Sequence, residues 1–185
     1  MCEQIVICTA RDEVKAARIL DDLRHAGFSD TRISVLVPEM AVAGGFVPLA
    51  GSESSAGAVA RTDEHLLAGA LNGLFEAGVL VRPDLGRLIG AGPLMAALNA
   101  PRLDAQTGHL VGELVRAGVP AAQAEYFREL LREGKILLSV HCDQEAEKVR
   151  SEKILARSGA DDVVIGKANT GQDSHCIVKN FQQAA

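Results

Sequence analysis

The sequence predicts an α+β fold, and two observations carry that prediction. A strand–helix–strand pattern is written twice, once toward each end of the chain. Between the copies lies a long Gly- and Ala-rich stretch of helical character. Placing Ile5 on Leu137 lays "IVICTARDEVKAARILDDLRHAGFSDTRI" over "LLSVHCDQEAEKVRSEKILARSGADDVVI" without a gap. Glu13 then meets Glu145, Leu23 meets Leu155, Gly27 meets Gly159, Asp30 meets Asp162 and Ile33 meets Ile165. Two such units predict a four-stranded antiparallel sheet with two helices on one face, the ferredoxin-like βαβ…βαβ arrangement, with a large helical insertion between strands 2 and 3.

The elements follow in order. Ile5-Val6-Ile7-Cys8 is a short apolar run, too short for a helix. The first helix starts near Arg11-Asp12-Glu13, with acids where the helix dipole favours them. Val14, Ala17, Leu20 and Leu23 recur at helical spacing and predict its buried stripe. Gly27 stands where a C′ glycine belongs. "RISVLVP" alternates Ile33, Val35 and Val37 until Pro38 ends the strand. In the second copy Ile136-Leu137-Leu138 opens the strand, with His141 as its last residue and Cys142 opening the turn. Asp143 is a candidate N-cap. Ala146, Val149 and Ala156 form a weaker stripe, Gly159 ends the helix, and "DVVIG" closes the unit.

The chain reads as one domain over 1–185. The first βαβ half covers 3–38, the insertion 39–134, the second half 135–168 and the tail 169–185. In the tail, "SHCIVKNF" is available as an extra edge strand. Within the insertion, residues 43–61 read as a Gly/Ser loop and Leu66–Val81 as an apolar helix. "GRLIGAGPLM" reads as helical pieces broken at Gly92-Pro93. A dinucleotide loop needs G-x-G-x-x-G after a secure strand, and Met95 stands in the third glycine's place. "PAAQAEYFRELLREG" is a clean helix with Pro120 at its start and Gly134 past its end. Tyr126 with Leu130 reads as packing on that helix.

Composition narrows the function classes. Of 185 residues 48% are hydrophobic and 3% aromatic, with no Trp and a net charge of −5, so the core must be aliphatic. No basic cluster with interleaved aromatics appears, which argues against nucleic acid as the partner. The N-terminal "MCEQIVICTARDE" has no basic region followed by an apolar stretch, so the expected location is the cytoplasm, with reduced thiols. Leu66–Val81 carries Asn72 and Glu76 and falls short of the ~20 residues a membrane span needs. No integral span is expected, and that segment is the place for any peripheral membrane contact.

Two His-Cys pairs invite chemistry, His141-Cys142 and His175-Cys176. Adjacent strand residues point to opposite faces, so His141 and Cys142 cannot readily act on one another. No catalytic residue and no cofactor is assigned. A zinc site would have to bring His141 or Cys142 to His175 or Cys176, and no CxxC supports it. These four are the only metal candidates, and the blander reading makes the two cysteines buried hydrophobes. By strand alternation Ile5, Ile7, Leu36, Leu137 and His141 share the face away from the two predicted helices. That face is the expected interaction surface, to be covered by the insertion or by a second copy.

Several segments carry a family resemblance: "AGFSDTRISVLVP", "GAGPLMAAL", "LVGELVRAGVPAAQAEYFRELLREGKILLSVH" and "ILARSGADDV". In these the chain resembles the bacterial general-stress or heat-induced stress proteins, small cytoplasmic proteins of unknown activity with a Gly/Ala-rich middle. The resemblance implies a stress association and no assigned catalytic residue. The expected function is therefore non-enzymatic: a stress-response protein that forms a homo-oligomer or binds a protein partner through the sheet face and the insertion. The alternative is a small-molecule or metal-binding regulator that uses the open sheet face, an expectation from fold analogy.

Overall fold

The computed structural model of the chain describes residues 4–41, 78–82, 85–99, 110–167 and 178–179. Strand β1 (Gln4–Ala10) leads into helix α1 (Glu13–His25). Asp12 caps that helix by accepting the Lys15 N–H at 2.8 Å. The apolar stripe differs from the predicted one. Ala16, Ile19, Leu20 and Leu23 are buried, while Val14 is 62% exposed. The predicted stripe shares Leu20 and Leu23 with the observed one and is rotated from it over the first two turns. The Phe28 N–H reaches back to the Leu23 carbonyl and that of Gly27 to Arg24, closing the C-terminus with Gly27 at φ 87°. A short 3-10 turn at Asp30–Arg32 then leads into β2 (Ile33–Pro38).

The second unit repeats this. Strand β5 (Ile136–Cys142) extends through both His141 and Cys142. Helix α5 (Glu145–Arg157) follows, with Gln144 rather than Asp143 at the N-cap, and β6 (Asp161–Lys167) closes the unit. In the ungapped alignment β1 and β5 coincide end for end, and so do α1 and α5. The two strands pair antiparallel at the centre of the sheet, and Ile7 faces Ser139, its own counterpart in the alignment. A pseudo-two-fold axis therefore passes between these two residues. The second stripe also differs from the predicted Ala146, Val149 and Ala156: α5 buries Ser151 and Leu155, and Val149 is 40% exposed.

The prediction of a four-stranded ferredoxin-like sheet is corrected. The sheet has six strands plus a two-residue edge strand, in the order β3-β4-β2-β5-β1-β6-β7, all paired antiparallel. The insertion is not wholly helical. It supplies a hairpin, β3 (Gly78–Arg82) and β4 (Gly86–Ala91), which pairs along the free edge of β2. The edge of β2 exposes N–H and C=O groups, and β4 satisfies them. The segment Leu66–Val81 is thus a strand from Gly78 on, and its earlier part lies outside the described residues, as does the 43–61 loop. "GRLIGA" is likewise strand, not helix. In the tail, β7 (Val178–Lys179) pairs with Val164 and Val163 of β6.

Both faces of the sheet carry helices, and of the two covers expected for the second face, the insertion is the one present. On one face Val6, Cys8, Val35, Leu138 and Val140 pack with Ile19 and Leu23 of α1 and Leu155 of α5. On the other, Ile5, Ile7, Leu36, Leu137 and Val164 lie under three helices of the insertion. These are α2 (Pro93–Asn99), α3 (Leu110–Arg116) and α4 (Ala121–Arg132). Met95, Leu114 and Phe127 are fully buried there. Each such side chain contributes on the order of 2 kcal/mol by leaving water.

The corner from β4 into α2 depends on one glycine. Gly92 has φ 92°, and a Cβ on it would stand 2.1 Å from the Ile33 carbonyl oxygen. The next turn is held by Ser34, whose Oγ accepts the Leu94 N–H at 3.0 Å. The short helix α2 is thereby seated directly on the start of β2.

Candidate functional site

The structure disperses the residues that looked reactive. Cys142 is buried on the α1/α5 side, its Sγ 3.8 Å from Ser151 Oγ. Burial pushes its thiol up from the ordinary value, against thiolate formation. Cys8 is fully buried and pushed up strongly, first by desolvation and then by the Asp161 charge. His141 is half-buried, opposite Ile5 on the other face of the sheet from Cys142. His175 and Cys176 lie outside the described residues. Among the described residues, no three His, Cys, Asp or Glu side chains are grouped to hold a metal ion.

The predicted interaction face is corrected as well. Ile5 and Leu137 are 1% exposed, and Ile7 and Leu36 are 0%. They are core residues beneath α2, α3 and α4, and no partner can reach them in the folded chain. A ligand on an open sheet face has no such face to use among the described residues.

The polar side chains that do converge sit at the opposite end of β1. There β6 begins at Asp161-Asp162, and its pairing with β1 slips register between Ile7 and Thr9. Asp162 has φ 49°, the one non-glycine residue with positive φ among those described. Asp and Asn enter that region more readily than other side chains. The bulge aims its carboxylate inward across three elements. Thr9 Oγ1 on β1 donates to Asp162 Oδ2 at 3.1 Å. Tyr126 Oη on α4 donates to Oδ1 at 3.2 Å. Lys135 Nζ, at the turn before β5, stands 3.7 Å from Oδ2. Beside them Arg11 Nε holds Asp161 Oδ2 at 3.0 Å.

The opposite corner of the same layer is closed by Arg32. Its Nη1 donates to both Glu147 oxygens at 3.1 Å, and its Nη2 donates to Asp143. Arg11 and Asp143 occupy matched positions in the alignment. Each ties its strand-to-helix turn to the segment after the other unit's helix, with the charges exchanged. These links are partly exposed, so each contributes ~1 kcal/mol or less.

Chemically the Asp162 cluster is a clasp. Its carboxylate already accepts two hydroxyls and faces an ammonium. Tyr126 is pushed above the ordinary phenol value by partial desolvation, then by the charge of Asp162 and its hydrogen bond. A phenol held protonated is a donor, not a base. Sequence reasoning treated Tyr126 as packing and did not single out Thr9, Arg11 or Lys135. The one available signal was the match of Asp30 with Asp162 after a helix-ending glycine.

No family model matches the chain, and no curated protein or solved structure matches it. Among the described residues no helix is long and apolar enough to cross a membrane.

Proposed function

We propose that this chain is a non-enzymatic bacterial stress-response protein that works by association, with a second copy of itself or with a protein partner. The observation that carries the reading is the state of its convergent polar groups. Asp162 is consumed by Thr9, Tyr126 and Lys135, and both described thiols are displaced away from the thiolate. A nucleophile needs a neighbouring base or a lowered pKa, and neither accompanies these groups. The stress assignment and the cytoplasmic location rest on the family resemblance and on the N-terminal sequence.

Among the described residues the insertion covers the sheet face that first suggested itself, which leaves the outer surfaces of the helices and the edge strand β3 for association. Multi-angle light scattering on the purified chain across micromolar concentrations tests the self-association arm. The expected result is a species heavier than the 19.5 kDa chain that grows in population with concentration. A 19.5 kDa particle at every concentration overturns it.

A further inference from the structure

Helix α5 is the least anchored helix of the α1/α5 layer. It buries Ser151 and Leu155, where α1 buries Ala16, Ile19, Leu20 and Leu23. Its outward face carries Arg150, Lys153 and Arg157, all exposed. Their spacing of three and then four residues aligns them over about 10 Å of helix. None of the three has an ion-pair partner among the described residues. Among the other described cations, Arg11, Arg24, Arg32, Arg87, Arg128 and Lys135 each sit on a carboxylate, whereas Lys15 and Arg18 stand singly on α1 without one. Arg157 has a local reason for its place, the negative end of the helix dipole. Arg150 and Lys153 have none.

Two further features adjoin this stripe. Val149 stands beside Arg150 and is 40% exposed. A cleft of about 290 Å³ opens between α5 and the turn after α1, with Phe28 and Ala26 in its wall and Arg32, Glu147 and Arg150 around it. Arg32 is immobilised there by Asp143 and Glu147, which leaves Arg150 as the free cation at the mouth.

We propose that the outward face of α5 and this cleft form the docking surface for an acidic segment of a partner protein. An apolar side chain of the segment packs against Phe28 in the cleft, and its carboxylates meet Arg150, Lys153 and Arg157. This deepens the partner-binding reading above and rests on it. A nucleic acid or an anionic membrane suits the surface less well. Glu145, Glu147 and Glu152 interrupt the stripe, the chain as a whole is at −5, and no exposed aromatic offers a stacking platform on α5.

The test uses the whole chain and a fluorescein-labelled peptide of alternating glutamate and leucine, followed by fluorescence anisotropy. Binding is expected, weaker as salt rises. Arg150→Glu, Lys153→Glu and Arg157→Glu together are expected to weaken it at least about tenfold, as loss of rim charges does. The neutral triple Arg150→Gln, Lys153→Gln, Arg157→Gln serves if the reversed variant melts early, and is expected to weaken binding severalfold. Arg128→Glu with Arg132→Glu on α4 is expected to leave affinity unchanged. Absent binding, or affinity indifferent to the α5 triple, overturns the proposal. So does tighter binding of a thymidine single strand or of phosphatidylglycerol vesicles. Self-association without peptide binding would sink this surface and leave the broader reading standing.

Discussion

At the scale of single residues, Asp162 combines strain with contact. A left-handed backbone at a non-glycine residue costs on the order of 1 kcal/mol or more, and the clasp offsets it. Asp162→Ala keeps the strain and loses Thr9, Tyr126 and Lys135 together. It is expected to destabilise by ~2 kcal/mol in urea unfolding. Asp162→Gly relieves the backbone while losing the same contacts, so its loss should be smaller. If the alanine and glycine variants unfold alike, strain plays no part at this position. The buried thiols make a second residue-scale prediction. Cys8, Cys142 and Tyr126 are all raised above their ordinary values. In the unfolded chain the thiols ionise near 9.0 while the folded chain keeps them protonated. Their contribution is therefore full below that pH and is lost as pH rises above it. Thermal melts from neutral to strongly alkaline pH should show Tm falling above the thiol value, and Cys8→Ala should flatten part of that fall. A Cys8→Ala curve parallel to the parent's would refute the assignment.

At the scale of elements, the β4–α2 corner is the most constrained. Gly92→Ala would drive a Cβ into the Ile33 carbonyl, at a backbone angle that alanine resists. The expected loss is ~3 kcal/mol or more, since backbone rather than a side-chain tip must move. A variant with an unchanged urea midpoint would show that the corner can shift freely. Helix α5 lies at the other extreme. With Ser151 and Leu155 as its fully buried residues, it is expected to open more readily than α1. Hydrogen exchange should be faster along Glu145–Arg157 than along Glu13–His25. Equal protection in the two would mean that the ion pairs of Arg32 hold α5 as firmly as apolar burial holds α1.

At the scale of the whole molecule, one sheet serves two cores. Val6 and Cys8 of β1 face one, Ile5 and Ile7 the other. Neither layer can be lost without exposing half of the sheet, so the described fold should unfold as one cooperative unit. Phe127→Ala beneath the insertion and Leu23→Ala on α1 are each expected to cost ~3–5 kcal/mol. Each should lower a single transition when tryptophan-free probes such as circular dichroism and thiol accessibility are compared. Two separated transitions would divide the layers into independent units.

Much of this was legible from local patterns. The gapless match of Ile5 on Leu137 located β1, α1, β5 and α5, because helix spacing, a closing glycine and strand length are properties of neighbouring residues. It also assigned His141 and Cys142 to opposite faces, by alternation alone. The tertiary structure decided what pairs with what. The apolar residues of "GVLVR" and "GRLIGA" suit helix or strand equally, and the free edge of β2 settled them as a hairpin. The face of Ile5, Ile7, Leu36 and Leu137 is apolar whether a helix or a partner covers it, and the insertion covers it. Asp162, Thr9 and the Tyr126–Lys135 stretch are far apart in the chain, and the pairing of β1 with β6 and the packing of α4 bring them together.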